Sequence, residues 1–81
     1  MTAQQKKNCI NARTALEDIY SNGNLKRYKV TPYEANQIAE LYNSLVTTGK
    51  VVTTIAEGVM NFFKSYGFNT KVNGIGWEIS L

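Results

Sequence analysis

The hydrophobic positions of this chain fall into three helical stripes followed by one strand-like alternation. The first stripe is Cys9, Ala12, Leu16, Ile19 and Tyr20, spaced by three and four residues as one face of a helix requires. Thr2 with Gln5 three residues on forms a capping box ahead of it, and Ser21-Asn22-Gly23-Asn24 closes it. The pattern predicts a helix over about 3–21. On its outer side Ile10 projects together with Lys6, Arg13 and Glu17.

Leu25 to Val30 is short and mixed, compatible with helix or strand; the expected element order takes it as an edge strand. Its three cations suit an edge, where lysine discourages unwanted pairing. Thr31-Pro32-Tyr33-Glu34 is the sharpest local signal. Thr31 caps, Pro32 takes the first helical position and Glu34 completes a capping box. Ala35, Ile38, Ala39, Tyr42, Leu45 and Val46 form the buried stripe of this second helix, which ends at Gly49; Tyr33 points the other way.

A third helix is predicted over about 52–66, with a second candidate start at a Thr54/Glu57 capping box. Its apolar set of Val52, Ile55, Ala56, Val59, Met60, Phe62, Phe63 and Tyr66 covers an arc of about 160°, wider than a surface helix needs. It is therefore expected at the centre of the fold, with Gly67 ending it. The last segment alternates around Asn73-Gly74, the preferred two-residue hairpin turn. That turn pairs Val72 with Ile75, Thr70 with Trp77 and Phe68 with Ile79, placing all six on one face and Trp77 in the core.

The expected fold is α+β: a compact three-helix domain over residues 1–81 with a C-terminal β-hairpin, in the order helix-strand-helix-helix-strand-strand. This order is similar to the winged-helix arrangement, in which the third helix reads the major groove and the hairpin is the wing. The resemblance is one of element order and no sequence motif accompanies it.

Composition narrows the chemistry. An 81-residue chain has one core and a small stability margin. There is no histidine and one cysteine, so neither a metal cluster nor an internal disulfide is expected, and no cofactor. Cys9 lies on the buried stripe and is read as packing rather than as a nucleophile. Glu17 and Asp18 are adjacent and diverge on a helix, Glu34 caps, and Glu40, Glu57 and Glu78 fall on polar faces. Gly74-Ile75-Gly76 sits in a hairpin rather than between a strand and a helix, so it is no phosphate cradle. The chain reads as no enzyme.

No apolar run is long enough for a signal peptide or a membrane span, which makes the cytoplasm the expected location. Net charge is +3, with +4 carried by residues 1–30 and −1 by residues 31–81. Lys26-Arg27-Tyr28-Lys29 is the densest basic and aromatic cluster. With Tyr33, Ile10 and Lys6 it outlines a candidate partner-binding patch, arginine and tyrosine being favoured interface residues. Nine asparagines point to an AT-rich coding source such as a phage or other mobile element. The expected function is a small regulator or inhibitor acting by protein–protein contact, for example in host takeover, defence evasion or lysis control. The expected partner is a protein with an acidic surface. The alternatives are a winged-helix-like nucleic-acid binder and a homo-oligomeric subunit.

Overall fold

A computed structural model describes residues 1–54 and 57–81. Each long helix begins and ends where its caps dictate. Helix α1 (Ala3–Asn22) opens on the Thr2/Gln5 capping box, Gln5 N donating to Thr2 Oγ1 at 3.1 Å and Thr2 N to Gln5 Oε1 at 2.8 Å. It closes on Gly23, which takes φ 68° and donates its N–H to the Ile19 carbonyl. Helix α2 (Leu25–Tyr28) is one short turn. Helix α3 (Pro32–Thr48) starts at Thr31 with the reciprocal Glu34 bond at 2.9 Å and ends at Gly49. Strand β1 (Lys50–Thr53), helix α4 (Glu57–Ser65) and strands β2 (Asn69–Asn73) and β3 (Gly76–Ser80) follow.

The three strands form one antiparallel sheet in the order β1-β3-β2, so the C-terminal strand is the central one. Helix α4 packs on the inner face of the hairpin and against α3, which in turn packs on α1. Val59, Met60, Phe62 and Phe63 of α4 are all buried, consistent with its expected central position. Phe63 meets Phe62 and Phe68 edge to face at 5.7 and 5.5 Å, the geometry in which ring edges face ring clouds. Ile38, Leu45 and Ile79 complete the fully enclosed centre. The outer sheet face carries Glu78, flanked by Lys71 at 3.1 Å and Lys50 at 3.7 Å from the neighbouring strands.

The fold class is thus α+β, with three long helices and a C-terminal hairpin, and four details differ from the sequence expectation. The third strand is supplied by 50–53, not by 25–30. The Val51-Val52-Thr53 run is β-branched and suits a pleated surface, so it pairs with β3 instead of opening the third helix. Val52 consequently faces out from the sheet, 59% exposed. Segment 25–28 is helical because the Asp18 side chain gathers its polar groups, as described below. The Thr54/Glu57 capping box and the stripe positions Ile55 and Ala56 involve residues outside those described.

The hairpin register is shifted. Asn73 pairs with Gly76, Val72 with Trp77 and Thr70 with Ile79, so the turn is Gly74-Ile75. Only Gly74 takes positive φ there, which matches the turn that needs glycine at its first central position alone. A shift of two residues leaves every side chain on its original face, because strand periodicity is two. Trp77 accordingly still points at the core but is only partly buried, and Val72, near the open end of the sheet, is largely exposed. Finally, Tyr20 and Val46 follow the buried stripes of their helices yet lie 56% and 38% exposed.

Candidate partner-binding surface

Asp18, near the end of α1, organises the region. Its carboxylate accepts hydrogen bonds from Asn22 Nδ2 at 2.8 Å, Asn24 Nδ2 at 2.7 Å and the Tyr28 hydroxyl at 2.7 Å. Arg27 Nη1 lies 3.4 Å from the same group. These donors stabilise the ionised form, the Asn22 bond foremost and those from Tyr28 and Asn24 next, and hold the Asp18 carboxyl below its ordinary value. The Tyr28 phenol moves the opposite way, raised first by donating to that carboxylate. Such a set of partners fixes the chain reversal between α1 and α2 and makes a turn of helix out of a segment whose propensities allow either state.

The reversal lays Tyr28 against α4, its ring 6.5 Å from that of Phe62, with the Arg27 guanidinium 5.8 Å from the Tyr28 ring centre. Between α2 and α4 runs an open groove of about 520 Å³, lined by Arg27, Tyr28 and Lys29 on one wall and by Gly58, Asn61, Phe62, Ser65 and Tyr66 on the other. Burial raises the Tyr66 phenol, so it remains a neutral hydrogen-bonding group. The groove offers cations at one rim, amide and hydroxyl groups at the other and an aromatic floor.

Lys29 closes α2 in the left-handed conformation, φ 57°, donating its N–H to the Lys26 carbonyl at 3.2 Å. The other positive-φ residues among those described are all glycine: Gly23, Gly49, Gly67 and Gly74. A side chain in that region clashes with its own backbone, at a cost of roughly 1–2 kcal/mol.

Of the residues expected to form the patch, the structure brings Arg27, Tyr28 and Lys29 together on this groove. Lys26 is exposed on the same turn. Neither Lys26 nor Lys29 has an acidic partner within ion-pair distance among the described residues. Tyr33 is 72% exposed at the start of α3 and lies off the groove, its hydroxyl accepting from Gln37 at 3.4 Å. Lys6 and Ile10 are exposed on the far half of α1, Lys6 about 18 Å along the helix from Asp18. Sequence reasoning missed the α4 wall. Phe62 and Tyr66 read as part of the apolar arc of the third helix, whereas Tyr66 is half-buried at the groove. The signal that was available is Asp18 followed by Asn22 and Asn24, a carboxylate with local donors at a helix end.

The remaining candidate groups are occupied. Cys9 is buried in α1, which raises its thiol. Glu34 caps α3, Glu17 pairs with Arg13, and Glu78 sits between two lysines. Among the described residues no three His, Cys, Asp or Glu side chains converge as metal ligands, and no helix is long and apolar enough to cross a membrane. Against known proteins, no family model, no curated protein and no solved structure matches the chain.

Proposed function

We propose that this protein is a small non-enzymatic binding protein that acts by protein–protein contact, presenting the α2–α4 groove to an acidic stretch of a larger partner. The observation that carries the reading is Lys29. A lysine is kept in a backbone state that glycine fills everywhere else in the described chain, and that lysine stands at the groove rim with no acid paired to it. Residues held in sparsely populated conformations cluster at ligand clamps, where the side chain offsets the strain through its contact. Arg27, Tyr28 and Tyr66 are the residue types that anchor interfaces. A regulator or inhibitor of phage or mobile-element type, as the asparagine content suggests, would work in this stoichiometric way.

The nucleic-acid alternative is less well supported by the geometry. In a helix-turn-helix, three or four residues join the two helices. Here β1 lies between α3 and α4. The exposed side of α4 carries Glu57, Asn61, Lys64 and Ser65, one charge of each sign, and the hairpin tip is the fully exposed Ile75. Phosphate neutralisation has little to work with on that side.

Lys29→Gly separates contact from fold. Removing the left-handed lysine should raise stability by up to about 1 kcal/mol. It should also slow association with a partner captured from host cells and flatten the salt dependence of that rate. A Lys29→Gly chain that is more stable and associates as fast as the parent would sink the groove reading. Affinity for DNA that falls steeply with salt, with no captured protein, would favour the nucleic-acid alternative.

A further inference from the structure

On the outer side of α1, Lys6, Ile10, Arg13, Glu17 and Tyr20 follow one another at spacings of four, three, four and three. At 100° per residue they occupy an arc of about 80°, a second heptad-like stripe beside the buried one. Two large apolar residues stand exposed on it, Ile10 at 63% and Tyr20 at 56%. Arg13 and Glu17 between them form an exposed pair at 3.2 Å. Next to this stripe an open groove of about 540 Å³ separates α1 from α3, walled by Leu16, Tyr20, Ala39, Tyr42 and Val46. Val46 and Tyr20 lie on the core period of their helices but are left uncovered.

We infer that this face binds a second copy of the chain, α1 running antiparallel to α1 of its partner about a two-fold axis that crosses the outer face at the level of residue 15. The stripe is self-complementary under that operation and no other partner is needed to explain it. Residue numbers that sum to thirty face each other across the axis, so Ile10 of one copy meets Tyr20 of the other, and Arg13 meets Glu17. Each match occurs twice, as an isologous interface demands. Ile10 and Tyr20 lie equally far from the axis, about 7.5 Å along the helix in opposite directions, so the exposed isoleucine of each copy enters the α1–α3 groove of the other. Lys6 approaches the C-terminal end of the opposing α1, whose last turn carries no basic residue of its own and where a cation is favoured. On this face the Arg13 and Glu17 charges cancel and Lys6 leaves +1 per copy, against +3 for the whole chain, so two copies repel less there than elsewhere.

Charge exchange tests this with an internal control. The parent is expected to dimerise reversibly in sedimentation equilibrium between micromolar and millimolar concentration. Arg13→Glu alone and Glu17→Arg alone each set like charges against one another at both crossings, and each should weaken the dimer at least about tenfold. Mixing the two variants restores both crossings in the mixed pair, so the equimolar mixture should regain the mass of a dimer. Ile10→Asp should abolish dimerisation while leaving the circular dichroism spectrum unchanged, since its side chain touches solvent in the single chain. A parent that is monomeric at millimolar concentration overturns the proposal. So do single variants that associate like the parent, or a mixture that stays monomeric.

Discussion

Gly58, in the first part of α4, offers a quantitative test of how α3 and α4 are joined. A Cβ added there would fall well inside van der Waals contact of Glu34 Oε2 and 3.3 Å from its Cδ. Side-chain ends usually swing clear, but the other Glu34 oxygen accepts the Thr31 N–H at 2.9 Å as half of the α3 capping box. Gly58→Ala therefore combines two opposed effects. Alanine in a helix gains about 0.5–1 kcal/mol over glycine. Displacing Glu34 forfeits its arm of the capping box, worth on the order of 0.5–1 kcal/mol. In the parent the two should nearly cancel or leave a slight loss. With Glu34→Ala already made, the obstacle is gone and Gly58→Ala should stabilise by the full propensity gain. The expected coupling is about 0.5–1 kcal/mol, or a few degrees in thermal midpoint for a domain of this size. Glu34→Gln retains both shape and cap, so Gly58→Ala in that background should behave as in the parent; this separates steric contact from charge. Urea unfolding monitored by far-ultraviolet circular dichroism gives all six stabilities. Equal stabilisation by Gly58→Ala in every background would show that Glu34 does not lie against α4 as described.

Two further outcomes follow from the same structure. Gly76→Ala sets a Cβ 2.6 Å from the Thr53 carbonyl oxygen, a backbone atom that cannot rotate away, and should cost about 1–3 kcal/mol in urea unfolding; a neutral effect would mean that β1 and β3 are not so closely paired. Because the Asp18 carboxyl is lowered in the folded state, the unfolded chain takes up its proton first as pH falls. Its contribution is fully present above the ordinary carboxylate value of about 4 and disappears as pH drops through the depressed folded value. Asp18→Asn should lower stability at neutral pH and flatten the acid limb of the stability profile, whereas an unchanged limb would remove Asp18 from its assigned place at the α1–α2 reversal.

Sequence alone determined what nearest neighbours along the chain decide. The Thr2 and Thr31 capping boxes, Pro32 at the first helical position, and Gly23 and Gly49 beyond the helix ends all act within one turn, and α1 and α3 begin and end where these signals say. The alternation around Gly74 likewise fixed which side chains of the hairpin share a face. Tertiary structure decided whatever is degenerate locally. A two-residue shift of the hairpin preserves every face, so pattern cannot choose between registers; pairing of β3 with β1, and the fit of Gly76 against Thr53, accompany the one adopted. Val51, Val52 and Thr53 fit a helical arc or a pleated edge equally well, and the open edge of β3 made them a strand. Leu25 to Tyr28 is helical because Asp18, from the preceding helix, collects its donors. The candidate groove was half legible for the same reason. Its basic wall, Arg27 to Lys29, is a contiguous run of three residues, while its other wall comes from α4, some thirty positions on, and is brought alongside only when Tyr28 packs against Phe62.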